Sequence, residues 1–290
     1  MESLFNHISN QLSKHFNEPL IITNYKQVFG GDINKTFQLQ TNTGFLFLKI
    51  NDGSLKDMFE KEFEGLELLY QTKTIKTPKP VLYGCLDDTI YLVTEFVQKG
   101  NPSKDFWQTF AQQLADLHKH SNEMFGLSHD NYIGSLHQQN NFCSTWSEFY
   151  ATQRILPLAK LAFNRNKFSK QNLLLTEKLC NRFDELFPIE KPSLIHGDLW
   201  SGNFMSDENG APVIYDPAVY YGNREIDIAM SLLFGGFDKK FYDYYTEVFP
   251  LQPGWKERMQ LCQLYPLLVH LILFGGHYYD SVINIIGIYN

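Results

Sequence analysis

The run from residue 193 to residue 203 restricts the fold more than any other part of the sequence, because a short apolar segment leads straight into a polar loop. Leu194-Ile195 has the character of a buried strand. Gly197 ends that strand, and Asp198 and Asn203 follow in the loop. The sequence therefore predicts a loop that presents an acid and an amide at the end of a buried strand.

A second apolar run, residues 213–215, ends at Asp216. The preceding segment 206–210 ends in Asn-Gly, a pair that supplies the positive φ angles of tight hairpin turns. We predict that the strands at 194–195 and 213–215 form a hairpin around this turn. Such a hairpin would return Asp216 to the side of Asn203.

Two acids and an amide in this order suit phosphoryl transfer. Asn203 and Asp216 offer the oxygen ligands that hold Mg²⁺ against nucleotide phosphates, and Asp198 can accept the proton of an attacking hydroxyl. His196-x-Asp198, with Asn203 five residues after the acid, also has the spacing of a kinase catalytic loop. The competing interpretation is that each Asp or Asn only hydrogen-bonds its own loop. The combination favours the catalytic interpretation.

Composition argues against some functions. The 290 residues are 43% hydrophobic, which is enough for one large or two modest domains. A net charge of −7 argues against a broad nucleic-acid surface, which needs clustered Lys and Arg. The longest apolar stretch, residues 264–274, is interrupted by Pro266 and His270 and is too short to span a bilayer. We expect neither nucleic acid nor a membrane as a partner.

The four cysteines are scattered, without a CxxC pair, and no signal peptide leads the sequence. A reducing compartment is the simplest setting for such a chain. We therefore expect a cytoplasmic protein without a structural disulfide, and we expect a monomer.

The N-terminal part of the sequence has the pattern of β-strands. Strand-like runs lie at 21–29, 36–40 and 45–50, and Gly30-Gly31 lies between the first two. The N–H groups of such a turn can fold over the phosphates of a nucleotide, although an ordinary hairpin is the competing interpretation. A Walker A site is excluded, because neither glycine of its motif precedes Lys35-Thr36 at the required spacing.

Lys49 is the one charged residue in the apolar strand at 45–50. A cation there is costly unless it is paired, and the alternative is a side chain that reaches the surface. The next segment, residues 58–70, has the apolar stripe of a helix and carries several glutamates. Glu62 lies beside that stripe and is our predicted partner for Lys49, as in the lysine–glutamate pair of kinases.

The strand pattern ends near residue 97. Glu95 and Val97 close the last strand-like run, and we predict that their main-chain groups form a hinge that binds adenine. Residues 1–97 then form a β-rich nucleotide-binding lobe, and residues 98–290 form a helical lobe with the catalytic loop. The predicted fold class is α+β: a two-lobed protein-kinase-like fold. Its first lobe has an antiparallel sheet and an αC-type helix, and its larger second lobe is mainly helical.

The second lobe shows helical periodicity over most of its length. Apolar residues recur at spacings of four and three over 106–117 and predict a buried stripe. His118, at the end of that stripe, is predicted to be a hydrogen-bonded structural residue rather than a catalytic one. Asp227 precedes an apolar run at 228–234, which predicts a helix with Asp227 as its N-cap.

Several motifs closely resemble one family, the fructosamine kinase (ketosamine-3-kinase) family within the aminoglycoside phosphotransferase-like kinases. The segments that carry the resemblance are His196-Gly197-Asp198-Leu199-Trp200-Ser201-Gly202-Asn203, Asp216-Pro217-Ala218, Tyr221-Gly222-x-Arg224-Glu225-x-Asp227, Gly30-Gly31-x-Ile33-Asn34, Phe59-x-x-Glu62, Asp130-Asn131-Tyr132-Ile133-Gly134 and His270-Leu271. The resemblance covers nearly the whole chain, and Trp200 inside the catalytic loop makes it specific.

The resemblance implies ATP-dependent phosphorylation of the 3-hydroxyl of a ketoamine, the sugar adduct that glycation leaves on an amine, with Mg²⁺ as a second cofactor. It implies that Asp198 is the catalytic base and that Asn203 and Asp216 bind the metal. The residues assigned to the nucleotide are Gly30, Gly31, Asn34, Lys49, Glu62, Glu95 and Val97. The residues assigned to the substrate are Trp200, whose indole offers a flat apolar face and an N–H donor, Asn131 and Tyr220.

Two positions depart from the family pattern. Some members carry a cysteine after the glycine pair, tied to redox-sensitive dimerisation, and this chain has Asp32 there; that switch is not expected. Asn223 replaces a common histidine. Three alternatives stay open: a kinase of another small hydroxyl substrate such as an aminoglycoside or choline, a pseudokinase that only binds nucleotide, and a purely structural role.

Overall fold

The computed structural model describes residues 1–28 and 34–290. The predicted phosphate-binding turn at Gly30-Gly31 and the departure at Asp32 lie outside these residues. The chain divides into two compact units. The first consists of Met1–Lys104 and Met205–Asp216, and the second of Asp105–Phe204 and Pro217–Asn290.

The helices are α1 (Glu2–Phe16), α2 (Met58–Thr72), α3 (Phe106–His118), α4 (Trp146–Phe149), α5 (Leu156–Asn164), α6 (Lys170–Cys180), α7 (Phe183–Leu186), α8 (Glu225–Ser231), α9 (Lys239–Val248), α10 (Trp255–Phe274) and α11 (Tyr278–Tyr289). The strands are β1 (Ile22–Val28), β2 (Lys35–Thr41), β3 (Gly44–Asp52), β4 (Pro80–Leu86), β5 (Thr89–Glu95), β6 (Asn131–Ile133), β7 (Leu136–Gln138), β8 (Ser193–Ile195), β9 (Phe204–Ser206), β10 (Pro212–Ile214) and β11 (Tyr220–Gly222).

The first unit is built on a five-stranded antiparallel sheet in the order β1-β2-β3-β5-β4. The apolar stripe of α1 packs into one core with Leu48 and Ile50 of β3. Because side chains alternate across a strand, Lys49 between them points to the opposite face. Helix α2 packs against β4 and β5. The sequence prediction of an antiparallel sheet with one accompanying αC-type helix is confirmed for the described part of this unit.

The hairpin that follows the predicted catalytic loop pairs different strands from those predicted. Strand β9 pairs with β10, whereas β8 pairs with β11, in the register Tyr220 opposite Ile195. The predicted pairing of 194–195 with 213–215 is therefore wrong. The Asn-Gly turn does form, with Gly210 at φ 82°. Because tight turns join segments adjacent in sequence, the turn selects β9 rather than β8 as the partner of β10.

This hairpin belongs to the first unit through main-chain bonds. Gly100 N donates to Ser206 O at 2.9 Å, and Ile214 N donates to Lys76 O at 3.0 Å. Lys76 Nζ also lies 2.8 Å from Asp207 Oδ2. These bonds are the reason that 205–216 clusters with the N-terminal residues, and that the compact units differ from a simple division at residue 97.

The second unit is mainly helical. Phe106 and Phe110 of α3 pack with Phe237 and Phe241 in an aromatic core, which confirms the buried stripe predicted for 106–117. Among the residues described, no helix combines the length and the hydropathy that a bilayer-crossing segment needs.

Three helix boundaries in this unit have local causes. Helix α4 continues through a π-helical turn at Tyr150–Ile155 into α5, where Pro157 lacks the N–H of a regular helix. Helices α10 and α11 are separated by Gly275 and Gly276, both with positive φ. Helix α8 begins at Glu225, where Asn223 Oδ1 accepts the Glu225 N–H at 2.8 Å. The family departure at Asn223 thus supplies a capping acceptor.

Candidate active site

In the first unit, Lys49 holds two carboxylates. Its Nζ lies 2.6 Å from Glu62 Oε1 on α2, and it also bonds Asp216 Oδ1 at the end of the β10 segment. The side chains of Lys49 and Glu62 are 8% and 14% exposed, and that of Asp216 is 36% exposed. The structure thus confirms Glu62 as the partner of Lys49, although 13 residues and a turn separate them in sequence.

Burial and charge act in opposite directions on this group. Burial by itself lowers the pKa of Lys49, but the negative charges of Asp216 and Glu62 outweigh it and hold the pKa above its ordinary value. Burial raises the pKa of Glu62, the Lys49 charge opposes that rise, and the Asp216 charge adds to it. Lys49 therefore stays protonated and is shared by two acids.

The donor chemistry fits magnesium. One lysine is shared by two acidic side chains, a ratio that favours a further cation beside them. The Asp216 carboxylate and the Asn203 amide are hard oxygen donors of the kind that Mg²⁺ prefers. No group of three or more His, Cys, Asp or Glu side chains within 1–28 and 34–290 could hold a metal. Few protein ligands are normal for Mg²⁺ that shares its coordination with phosphate oxygens.

The backbone at Asp216 is unusual. This residue has φ 57°, in the left-handed region that few non-glycine residues adopt, and Asp is among those that tolerate it. Burial and the neighbouring Asp216 charge also raise the pKa of Tyr215 to about 12. The left-handed turn ends the strand and presents the carboxylate to Lys49.

In the second unit, Asn203 holds Asp198 at two atoms of the predicted catalytic loop. Asn203 Nδ2 donates to the main-chain oxygen of Asp198 at 2.8 Å and to its Oδ2 at 3.0 Å. These bonds assign the amide nitrogen to Asp198 and make the amide oxygen the atom with ligand chemistry. Gly197 has φ 81°, and a Cβ there would overlap the carbonyl oxygen of Ala218, so the loop requires glycine.

Asp227 anchors this loop from α8. Its Oδ2 accepts the His196 N–H at 2.7 Å and its Oδ1 accepts the Gly197 N–H at 2.9 Å. The predicted N-cap role is wrong, because α8 begins at Glu225 and Asp227 lies inside it with no exposed surface. The carboxylate therefore serves the backbone of a different segment.

His118 contacts the same Asp227 carboxylate. Its Nε2 lies 3.1 Å from Asp227 Oδ2 and its Nδ1 lies 2.7 Å from the Tyr245 hydroxyl. The ring is 1% exposed. The prediction of a hydrogen-bonded structural histidine is confirmed.

Trp200 lies half-buried beside Asp198 in the loop, and its ring covers Gly202, where a Cβ would overlap the indole. The ring meets Phe234 edge-on at 5.9 Å, and Phe234 packs on His270 at 4.6 Å. Burial lowers the pKa of His270, and its bond to the Pro266 carbonyl opposes the shift. Trp200 was predicted from the sequence, but Phe234 was not. The positive φ of Phe234, 53°, leaves no pattern in the sequence.

The other predicted nucleotide residues in the described part of the chain are Asn34, Glu95 and Val97. Asn34 Oδ1 accepts from Asn51 Nδ2 at 2.7 Å. Glu95 ends β5 with an exposed side chain, and Val97 is 9% exposed. Their roles toward adenine and phosphate stay predictions.

Two predicted substrate residues lie in the interior of the second unit. Tyr220 is fully buried under Phe149, and Asn131 is 4% exposed with its amide bonded to Val219, Gln138 and Asn140. Their substrate contacts stay predictions, and their burial is unfavourable to direct contact.

Comparison with known proteins places this chain in a family. The model of the fructosamine kinase family matches residues 4–289. The chain is 41% identical over 261 residues to a probable ketoamine kinase of Enterococcus faecium, covering 88% of this chain and 91% of that protein. It is 38% identical over 274 residues to the chloroplastic protein-ribulosamine 3-kinase of Arabidopsis thaliana, covering 92% and 83%.

Solved structures agree. A crystal structure of a candidate fructosamine-3-kinase from Thermobifida fusca is 33% identical, with a TM-score of 0.85 over 97% of this chain and 98% of that one. An aminoglycoside phosphotransferase, solved with ADP and hygromycin B, is 14% identical, with a TM-score of 0.63 over 97% and 98%. The latter likeness shows the fold alone, and it confirms the predicted kinase-like architecture. This chain belongs to the fructosamine kinase family.

Proposed function

We propose that this protein is an ATP-dependent kinase that phosphorylates the 3-hydroxyl of ketoamines. The observation that carries the proposal is the pair formed by Asp198 and Asn203. An acid held by the amide that follows it five residues later matches the catalytic loop of phosphoryl-transfer enzymes, in a chain of the fructosamine kinase family.

Asp198 is the catalytic base in this proposal. It accepts the proton of the ketoamine 3-hydroxyl as that oxygen forms its bond to the γ-phosphorus of ATP and the bond to the β–γ bridging oxygen breaks. Asn203 holds the carboxylate in position through its Nδ2. Asp227 keeps the loop backbone in place by accepting two of its N–H groups.

Lys49 binds the α- and β-phosphates, and Glu62 positions Lys49. Asn203 and Asp216 are the residues that would hold Mg²⁺, which when bound neutralises the charge that develops on the phosphoryl oxygens. Lys49 is protonated, so its ammonium group can donate hydrogen bonds to phosphate oxygens.

The acceptor is proposed to meet Trp200, whose indole offers an apolar face to the sugar. A 3-phosphate beside the C2 carbonyl is a better leaving group than hydroxide, so the enolised product can lose inorganic phosphate by β-elimination. Water then hydrolyses the imine that remains and frees the amine. The enzyme would thereby begin deglycation. We further propose ATP and a glycated amine or protein as partners, a monomeric state, and a reducing cytoplasmic setting, which the four free cysteines support.

A panel assay of ADP release tests the proposal. The purified chain with Mg·ATP is given ribulose-lysine, fructose-lysine, erythrulose-lysine, kanamycin and choline in parallel, and the phosphorylated carbon is located by ³¹P-coupled NMR. We expect turnover on at least one ketoamine, with the phosphate on C3. Turnover on kanamycin or choline alone, or on none of the five, would overturn the proposal.

The variant Asp198→Asn is the control for this assay. It keeps the size of the side chain and its contact with Asn203 but cannot accept the proton. We expect Mg·ATP binding by calorimetry close to that of the wild type and turnover below about a tenth of the wild-type rate. A faster variant would remove Asp198 from the role of base.

A further inference from the structure

Arg154 is a buried cation without an acid. The side chain is 0% exposed, and no carboxylate in the described part of the chain forms an ion pair with it. Its guanidinium lies over the rings of Tyr220, at 4.0 Å from the centroid, and Phe149, at 4.5 Å. Two main-chain carbonyls and the Asn140 side chain accept its hydrogens. Because burial of an unpaired cation is costly, the position calls for a reason beyond packing.

A chain of amides leads from this cation to the main chain. Arg154 Nη2 donates to Asn140 Oδ1 at 2.7 Å, and Asn140 Nδ2 donates to Asn131 Oδ1 at 2.9 Å. Asn131 Nδ2 then donates to the carbonyl oxygen of Val219 at 2.9 Å. The three amide-linked steps cross from the π-helical turn to the segment that follows Pro217.

A second branch reaches the neighbouring carbonyl. Gln138 Nε2 donates to Asn131 Oδ1 at 2.7 Å and to Ala218 O at 3.2 Å. Gln138 Oε1 accepts the Tyr265 hydroxyl at 2.7 Å. Asn131, Gln138 and Asn140 are 4%, 1% and 1% exposed, so solvent does not compete for these bonds.

Groups that can only donate or only accept fix the direction of the bonds in this network. A guanidinium can only donate, so Asn140 must turn its oxygen to Arg154 and its nitrogen to Asn131. Asn131 then presents its oxygen to Asn140 and its nitrogen to Val219. The carbonyls of His129, Val219 and Ala218 can only accept, so they impose the same orientation as Arg154, and no amide can flip without breaking the chain.

The two carbonyls at the end of the network lie against the catalytic loop. Ala218 N donates to His196 O at 2.9 Å, and the Ala218 carbonyl occupies the place where a side chain at Gly197 would lie. Gly197 directly precedes Asp198. A shift of the Ala218 main chain would therefore move the base.

We propose that the amide network of Asn131, Gln138 and Asn140, polarised by Arg154, is a positioning device that holds the main chain of Ala218 and Val219 and through it the catalytic loop. The inference rests on the proposed function for its kinetic readout. It assigns Asn131 to positioning rather than to substrate contact. It makes these residues determinants of kcat rather than of ATP affinity.

Asn140→Asp separates positioning from folding. The new carboxylate still accepts from Arg154, now as an ion pair, but its second oxygen faces the Asn131 Oδ1 and His129 carbonyl oxygens that the amide nitrogen bonded. A purely structural role therefore predicts a loss of stability with an unchanged kcat for the folded fraction. The variant cannot donate to Asn131, so the series of hydrogen bonds from Arg154 to Val219 is interrupted. We expect a protein that still folds, a fall of about tenfold or more in the kcat of its active fraction, and KM values for ATP and ketoamine within about twofold of the wild type.

Asn141→Asp is the matched control. Its amide is exposed and bonds Gln153 at 3.0 Å, outside the network, so wild-type kinetics are expected. An Asn140→Asp variant that keeps more than half of the wild-type kcat would overturn the proposal. A loss of kcat that is fully explained by a smaller fraction of active protein would also overturn the proposal. Should Asn140→Asp fail to fold, Tyr265→Phe decides by the same split between kcat and KM, with about fivefold lower kcat expected from one lost hydrogen bond.

Hydrogen exchange provides a readout that does not depend on turnover. We expect Asn140→Asp to raise deuterium uptake in peptides from 194–203 and 217–221 and to leave peptides from α2 unchanged. Equal uptake in wild type and variant would overturn the inference. If the wild type phosphorylates no ketoamine, the proposed function fails, and the exchange measurement still decides the positioning role.

Discussion

At the scale of single residues, Lys49 holds together the two acids that the first unit contributes to the candidate site. It is buried, and it is shared by Glu62 and Asp216. A buried ion pair contributes little net stability when intact, but removal of one partner leaves a buried charge unpaired. Lys49 and Glu62 should therefore respond very differently to substitution.

We expect Lys49→Met to be far more damaging than Glu62→Gln. The first leaves two carboxylates close together without a cation, and a loss of about 3–5 kcal/mol in the free energy of unfolding is expected. The second keeps Asp216 as a partner for Lys49 and should cost less, with kcat/KM for ATP reduced in both. Urea unfolding and steady-state kinetics of both variants measure this. Equal destabilisation would contradict the shared ion pair.

His270 should make stability depend on pH in a predictable direction. Burial lowers the pKa of His270 in the folded protein, and its hydrogen bond to the Pro266 carbonyl only partly offsets that shift. The unfolded chain takes up the proton first, near pH 6.5, so the stability contributed by the neutral ring is complete above that pH and declines as the pH falls below it.

The measurement is Tm between pH 7.5 and 5 for the wild type and for His270→Gln, which cannot titrate. We expect the wild type to lose more of its Tm than the variant as the pH falls below about 6.5. Parallel curves would show that His270 titrates alike in the folded and unfolded chain.

At the scale of elements, α8 acts on the catalytic loop through a single carboxylate. Asp227 accepts two main-chain N–H groups, from His196 and Gly197, and a ring nitrogen of His118 lies near it. A loop held by main-chain bonds keeps its geometry whatever its own side chains are. The position of the base thus depends on a helix that never touches the substrate in our proposal.

Asp227→Asn should reduce kcat by about 100-fold, because an amide can satisfy only one of the two N–H groups and the loop shifts. A loss of about 1–3 kcal/mol in the free energy of unfolding is also expected. The matched control is Asp238→Asn, an exposed cap that accepts the Lys240 N–H at the start of α9. A control as impaired in kcat as Asp227→Asn would mean that the assay reports general destabilisation.

The sequence predicted those parts of the site whose cause is local. A charge inside an apolar strand needs a partner, and the next helix offered Glu62. Asp227 was misjudged because its partners are main-chain N–H groups about thirty residues away, which leave no mark on side-chain patterns. The three-residue strands β8 to β11 carry too little pattern to fix their pairing, and the contact of Asn131 with Val219 joins residues 88 apart.

At the scale of the whole molecule, ligand binding should be visible as stability. A ligand that binds only the folded chain at a hundred times its Kd adds about 2.7 kcal/mol. For a chain of this size that corresponds to a rise in Tm of roughly 5 °C. We expect this shift with Mg·ATP, a much smaller one with ATP and EDTA, and none in Lys49→Met. A full shift in the presence of EDTA would argue against the magnesium assignment.

The path of the chain through its two compact units limits how such a gene can recombine. The first unit ends at Lys104 and takes in Met205–Asp216 much later, so neither unit is encoded in one piece. A fragment that stops at residue 104 lacks the segment that hydrogen-bonds Lys76 and Gly100. A chimaera with a relative that exchanges the first unit whole needs junctions after residues 104, 204 and 216. A single crossover after residue 104 would leave Glu62 and Asp216, the two acids that contact Lys49, in different parents.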